Sequence, residues 1–275
     1  MITYKEIIKK YSVLLKEVTH IPQKEVEILL LHLLEKNIIW LHLNYNKECL
    51  VESKLNELVK KRATDYPLEY IIKKASFYGE TFIVSDGILI PRPQTEILVE
   101  KALEQLKGID SPCVVEVGTG SGIISVMLAL LVPGIKIIAV DINEKALELA
   151  KSNSLKFKVS DKITFVKSDL FTNVEVLNFD MCISNPPYIQ NNYKLPKNVT
   201  YEPSNALFGG ENGNEILVDI IELSNKNKIK YLFCEMGFDQ KNSLGNHLKK
   251  FETKQLEFYK DYEKFDRGFT LEFKY

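Results

Sequence analysis

Apolar residues change their spacing twice along the 275-residue chain, and each change marks a boundary. Over residues 3–72 they recur three and four apart: Ile7, Ile8, Tyr11, Leu14, Leu15 and Val18 share one helical face. Pro22 is placed to open a second helix through Leu34, since proline at the first helical position gives up an N–H that has no helical partner there. Leu50, Leu55, Leu58 and Val59 outline a third. No strand-like alternation interrupts this region, so residues 1–74 read as a small helical bundle. From Ala75 to Pro91 the period shortens to two. Phe77–Val84 and Ile88–Ile90 read as two short strands around a Ser85-Asp86-Gly87 turn, a β-hairpin linker over 75–91. Pro91-Arg92-Pro93 is stiff and extended, and Thr95 is placed to cap a helix continuing to Leu106.

From Cys113 onward strand and helix patterns alternate. Strands are expected at 113–117, 136–140, 163–167, 179–184 and 231–234, with two more at 255–259 and 269–273. Helices are expected at 123–131, 144–152, 215–223 and 240–251. Such alternation argues a doubly wound α/β domain with a mostly parallel sheet, occupying 92–275. The longest apolar stretch, Ile123 to Val140, is broken by Pro133-Gly134 and carries Lys136, so it reads as helix, turn and strand rather than a membrane span.

Composition narrows the partners. Hydrophobic residues make up 45% and charged residues 27%, ordinary for a globular protein, and the net charge of −1 provides no field to gather nucleic acid or an anionic membrane. The charged start, Met1-Ile2-Thr3-Tyr4-Lys5-Glu6, has no apolar core of a signal peptide. Cys49, Cys113, Cys182 and Cys234 lie far apart with no CxxC pair, which fits reduced, buried thiols in a cytoplasmic protein. His20, His32, His42 and His247 lack metal-ligand spacing, and no metal site is expected.

The chemistry concentrates at strand ends. Asn185-Pro186-Pro187-Tyr188 follows a buried strand. Neither proline has an N–H, so the loop offers carbonyl oxygens and almost no donors, the Asn185 side chain adds an acceptor, and Tyr188 adds a flat face. That combination suits a planar –NH2 group. Upstream, Glu116-Val117-Gly118-Thr119-Gly120-Ser121-Gly122 turns the first strand of the α/β domain into its helix. A dinucleotide fingerprint would need its third glycine at position 123, which is Ile123, and no Lys-Ser/Thr pair follows to make a Walker-type loop. Asp141 ends the second strand, where a carboxylate can accept both hydroxyls of a ribose. Asp169 follows the third, placed to accept from an adenine amine while the Leu170 backbone reads the ring. All four features lie on the rim where open α/β sheets bind ligands.

This set resembles the S-adenosylmethionine-dependent methyltransferases. The wider pattern is similar to the HemK/PrmC-type release-factor glutamine methyltransferases. Tyr66-Pro67-Leu68-Glu69-Tyr70-Ile71 resembles the end of that family's helical domain, and Ile90-Pro91-Arg92-Pro93-Gln94-Thr95-Glu96 its IPRPxTE signature. Tyr201-Glu202-Pro203 and Ala206-Leu207-Phe208-Gly209-Gly210-Glu211-Asn212-Gly213 resemble its segment after NPPY. One departure is Lys73-Lys74, where the family commonly carries glycine after its Tyr-Ile pair.

The resemblance implies an α/β Rossmann-like methyltransferase domain with a seven-stranded, mostly parallel sheet, preceded by a helical substrate-docking domain. It implies S-adenosylmethionine as cofactor, held by Glu116, Gly118, Thr119, Gly120, Gly122, Asp141, Asp169, Leu170, Asn185 and Arg92. The expected reaction is methylation of the glutamine amide in the Gly-Gly-Gln motif of peptide-chain release factors. Asn185 and Pro186 would accept the amide hydrogens and Tyr188 would pack on the amide plane, with Pro187 completing the substrate site. A monomer without direct nucleic-acid binding is expected. The alternatives are a glutamine methyltransferase acting on a large-subunit ribosomal protein and an exocyclic-amine methyltransferase acting on nucleic acid.

Overall fold

The computed structural model describes residues 2–175 and 178–275. Two compact units emerge, Met1–Lys74 with Leu195–Tyr201, and Ala75–Lys194 with Glu202–Tyr275. The placement of Leu195–Tyr201 departs from the sequence reading, which left it in the α/β domain. Its ties are long-range within the helical unit: the Tyr201 hydroxyl donates to the Thr64 carbonyl at 3.0 Å, Lys197 pairs with Asp65 at 2.7 Å, and the Tyr201 ring meets Tyr66 edge-on.

The helical unit contains α1 (Tyr4–Ser12), α2 (Pro22–Leu34), α3 (Ile38–Leu43), α4 (Glu52–Arg62) and α5 (Leu68–Ile72). Thr3 and Glu6 close a reciprocal capping box on α1, which satisfies two otherwise orphaned N–H groups. Apolar faces of α1, α2 and α4 meet in a core that includes Ile7, Leu15, Leu29, Leu30, Leu55 and Val59. Arg62 crosses that core edge to Glu25 as a buried two-bond pair at 2.6 and 3.2 Å. Lys73 follows α5 in the left-handed conformation, φ 56°, the C-terminal position that glycine adopts at least cost. The departure from the family's glycine thus falls where the chain takes a left-handed turn, which Lys73 adopts at a greater backbone cost than glycine would.

The α/β unit opens with β1 (Lys74–Phe77) and β2 (Glu80–Ile83). Their turn is Tyr78-Gly79, with φ of 53° and 77°, the double positive φ that a two-residue hairpin turn demands. The expected hairpin around Asp86-Gly87 is therefore corrected. Gly87 does turn the chain, but it leads into an extended stretch, and Ile88–Ile90 forms no strand. Next come α6 (Thr95–Leu106), β3 (Cys113–Val117), α7 (Ile123–Leu131), β4 (Lys136–Asp141), α8 (Glu144–Lys156), β5 (Ile163–Lys167), β6 (Met181–Ser184), β7 (Ile189–Gln190) and β8 (Phe208–Gly210). The remaining elements are α9 (Glu215–Lys226), β9 (Tyr231–Glu235), α10 (Lys241–Leu248), β10 (Thr253–Lys260) and β11 (Asp266–Phe273). Thr95 is the first residue of α6 rather than its cap, and the Gln94 side chain makes no capping bond either.

Among the described residues the main sheet has seven strands in the order β10-β11-β9-β6-β3-β4-β5, with β11 antiparallel to both β9 and β10 and the rest parallel. Successive residues of each central strand serve opposite faces. Val114, Ile137 and Ile183 join α6 and α7 in one core, whereas Val115, Cys182 and Leu232 join α9 and α10 in the other. The chain winds outward from β3 through β4 to β5, then returns to the far side of β3 with β6. A doubly wound sheet opens its ligand crevice at such a reversal, beyond the carboxyl ends of β3 and β6.

Candidate functional site

A cavity of about 470 Å³ occupies that crevice, within the usual range for a small-molecule site. Register places its two main loops side by side: Val117 pairs with Ser184, and the Ser184 hydroxyl donates to the Val117 carbonyl at 2.7 Å. The glycine loop leaves β3 here, and the Asn185 loop leaves β6.

Gly118, Gly120 and Gly122 all have positive φ, at 73°, 55° and 80°. A Cβ added to Gly118 or Gly120 would meet nothing within 4 Å, whereas one on Gly122 would strike Ala150 of α8. The first two glycines therefore keep the loop open toward a ligand, and the third seats α7 against α8. Glu116, 1% exposed, anchors the loop from beneath. Its Oε2 accepts from the Thr119 hydroxyl at 2.8 Å, from the Ser125 N–H at 3.1 Å and from the Ser125 hydroxyl. Its Oε1 is buried and has no partner among the described residues. Burial pushes the Glu116 carboxyl up to about 7, against the lowering effect of the Ser125 and Thr119 bonds. Because this folded value lies above the unfolded one, the group contributes stability below about 4.5 that is lost as pH rises through about 7. Glu116→Gln should reduce, without abolishing, the fall in urea midpoint of the ligand-free protein between pH 5 and 8, since Glu235, also pushed up to about 7 by burial, contributes with the same sign; an unchanged slope would exclude Glu116 as a source.

Asp141, at the end of β4, accepts from Gly120 N–H and Asn143 N–H, each at 2.9 Å, which aims its carboxylate along the cavity wall. Burial raises its carboxyl while those two bonds lower it. Asp169 is exposed and lines the cavity with Leu170, whose φ of 47° turns the loop after β5 inward. Ile142 lines the same end although it is 58% exposed, an apolar residue held at the surface. Sequence reasoning missed it; an isoleucine directly after a strand-ending aspartate was the available signal.

Asn185, Pro186 and Pro187 line the other end of the cavity. The Asn185 Nδ2 donates to the Thr95 hydroxyl at 3.1 Å, which leaves Oδ1 as the amide atom without a bond among the described residues. Arg92 also lines the cavity, and it is paired with Glu202, whose side chain also accepts from Ile90 N–H at 3.0 Å. Glu202 thereby pins the Pro-Arg-Pro stretch, a role the sequence did not assign to it.

Tyr188 is not among the residues that line this cavity. Its half-buried ring packs against the α9/α10 core, and the guanidinium of Arg267 on β11 interacts electrostatically with its hydroxyl. Asp261 holds that guanidinium at 3.0 and 2.8 Å. Burial pushes the Tyr188 hydroxyl up to about 12. The Tyr188 carbonyl accepts from Gln240 Nε2 at 2.9 Å. The glycines after the loop brace it from outside: β8 pairs with β7, and a Cβ on Gly209 would collide with the carbonyl oxygens of Pro187 and Gly213.

Residues 93–237 match the Methyltransferase small domain model, and residues 6–72 match the PrmC N-terminal domain model. The Release factor glutamine methyltransferase of Buchnera aphidicola subsp. Baizongia pistaciae is 35% identical over 271 residues, covering 96% of each chain. That of Aquifex aeolicus is 33% identical over 264 residues, covering 94% of each. Among solved structures, a human methyltransferase 10 domain containing protein aligns with a TM-score of 0.54 at 18% identity, over 72% of this chain and 90% of that one, a likeness of fold alone. Sheet order, rim loops and matched domains together define an S-adenosylmethionine-dependent methyltransferase. With relatives this similar along nearly its whole length, the chain belongs to the release factor glutamine methyltransferase family.

Proposed function

We propose that the protein transfers a methyl group from S-adenosylmethionine to the side-chain amide nitrogen of the glutamine in the Gly-Gly-Gln motif of peptide-chain release factors. The observation that carries this reading is the Asn185 amide, tethered through Nδ2 so that Oδ1 is left for a ligand, next to a proline that offers only a carbonyl. The residues present fit the cofactor. The unpartnered Glu116 Oε1 suits an ammonium, the bare glycine backbones admit a close approach, Asp141 suits ribose hydroxyls, and Ile142 and Leu170 supply apolar surface for adenine.

When bound, S-adenosylmethionine supplies a methyl carbon on a positively charged sulfur, already a strong electrophile. The protein's own task is alignment. A glutamine amide nitrogen is a weak nucleophile because its lone pair is delocalised into the carbonyl. Asn185 Oδ1 and the Pro186 carbonyl each accept one amide hydrogen, which holds the nitrogen for in-line attack and favours the positive charge that develops there. None of the cavity-lining residues is a histidine, and none is required as base, because the methylated nitrogen becomes acidic and releases its proton to water. Tyr188 contributes by holding the loop through Arg267. The helical unit is assigned to docking the protein substrate, and the enzyme to acting as a cytoplasmic monomer.

Purified release factor incubated with the protein and S-adenosylmethionine should gain one methyl, localised by peptide mass spectrometry to the glutamine of Gly-Gly-Gln. No added methyl, with cofactor binding measured separately, would overturn the reading and direct the same assay to ribosomal protein and nucleic acid.

A further inference from the structure

We infer that Thr95 and Glu235 act as positioning residues that set which end of the Asn185 amide faces the reacting nitrogen. This rests on the methyl-transfer reading of the site. The two ends of an asparagine amide are nearly equal in size, so a half-turn exchanges acceptor for donor with little change in packing. Only one orientation is useful here. Turned the other way, Asn185 would present an NH2 group to a substrate NH2 group. The preference must come from groups behind the amide.

Thr95 is that group. It is fully buried at the start of α6, and its Oγ1 lies 3.1 Å from Asn185 Nδ2. A hydroxyl can donate or accept, so it discriminates between the amide ends only if its own proton is committed elsewhere. Glu235, 1% exposed at the end of β9, is the acidic group beside Thr95; burial pushes its carboxyl up to about 7, and once ionised above that pH it is the acceptor for that proton. Thr95 then meets Asn185 with lone pairs alone, which hold Nδ2 and turn Oδ1 away. The charges facing Glu235 are the guanidinium groups of Arg267 and Arg92, and the hydroxyls of Tyr188 and Tyr259 lie within its field. Its Oε1 has no hydrogen-bond partner among the described residues. A carboxylate buried with so few bonds is costly where only filling is needed, since an apolar side chain would serve better.

The test is steady-state methylation of purified release factor by the full-length enzyme at pH 8, with S-adenosylmethionine affinity measured by calorimetry. Thr95→Val keeps the shape and removes the hydroxyl. Its kcat should fall about 10- to 100-fold, with KM for the release factor and cofactor affinity within about twofold. Thr95→Ser keeps the hydroxyl and should restore kcat to within about threefold of wild type. A merely structural role reverses the order, because serine leaves a methyl-sized void that valine fills. Wild-type kcat in Thr95→Val, or equal losses in both variants, would overturn the inference. Should Thr95→Val fail to fold, Glu235→Met, which removes the acceptor at similar size, decides: a kcat loss of about 3- to 10-fold supports the inference and an unchanged kcat overturns it. A wild-type enzyme that binds cofactor yet leaves the release factor unmodified would overturn the reaction itself, a separate failure.

Discussion

Asn185→Ala should lower turnover on the release factor about 10- to 1000-fold while leaving S-adenosylmethionine affinity within about twofold. The asymmetry follows from where the residue stands. Asn185 lies at the β6 end of the cavity, whereas the glycine loop, Asp141, Ile142 and Leu170 lie on the ends of β3, β4 and β5. Removing the amide deletes one of two acceptors for the substrate NH2 group. It also leaves the Thr95 hydroxyl without the Asn185 donor, at a buried position. Oriented donors and acceptors act most strongly where charge develops, so the loss should appear in kcat rather than in KM. Rapid-quench measurement of a single turnover isolates the chemical step. An unchanged rate in that experiment would remove Asn185 from the reaction.

Gly209→Ala should be nearly as damaging, although residue 209 bears no functional group. Its added Cβ would run into two backbone carbonyl oxygens, those of Pro187 and Gly213, and backbone cannot swing aside as a side-chain tip can. Relief requires moving the Asn185 loop, because β7 and β8 are joined there: Ile189 N–H donates to the Leu207 carbonyl at 2.9 Å and Asn191 N–H to the Gly210 carbonyl at 3.0 Å. A displacement of about 1 Å in a positioning loop costs on the order of 100-fold in rate. Overpacking of this kind costs about 1–3 kcal/mol, so the melting temperature should fall by roughly 3–10 °C. Cofactor affinity should stay within about threefold, since the glycine loop is built on other strands. Wild-type turnover in Gly209→Ala would show that the loop tolerates the shift and that the brace is dispensable.

How much of this was legible in the sequence depended on the distance between partners. The central strands declared themselves because they are buried on both faces and read as largely apolar runs, as in Val114-Val115 of β3 and Met181–Ile183 of β6. The rim loops followed from topology, since strand ends in a doubly wound sheet share one edge. The hairpin turn was misplaced because Asp-Gly is the stronger turn signal, while Tyr78 adopts positive φ without being glycine, asparagine or aspartate. Thr95 read as a cap because a threonine before a helical pattern ordinarily caps it. Its actual partner, Asn185, lies 90 residues away and leaves no local trace. The same holds for Tyr201, whose hydroxyl reaches Thr64 across 137 residues, and for Tyr188, whose orientation is decided by Arg267. Sequence pattern reports what neighbours in the chain do together. Sites assembled from several strands are decided by pairs the pattern does not connect.

The grip of Arg267 on Tyr188 also has a bearing on timing. Tyr188 is synthesised about 80 residues before Arg267, an interval of roughly 4–16 s at ordinary elongation rates of about 5–20 residues per second. Throughout that interval the asparagine loop lacks the Arg267 contact, and β9, once made, lacks the neighbour that β11 later supplies. The support that β11 gives to β9 and to Tyr188 is therefore a late event, added only when the β10–β11 hairpin docks, well after the asparagine loop itself has been made.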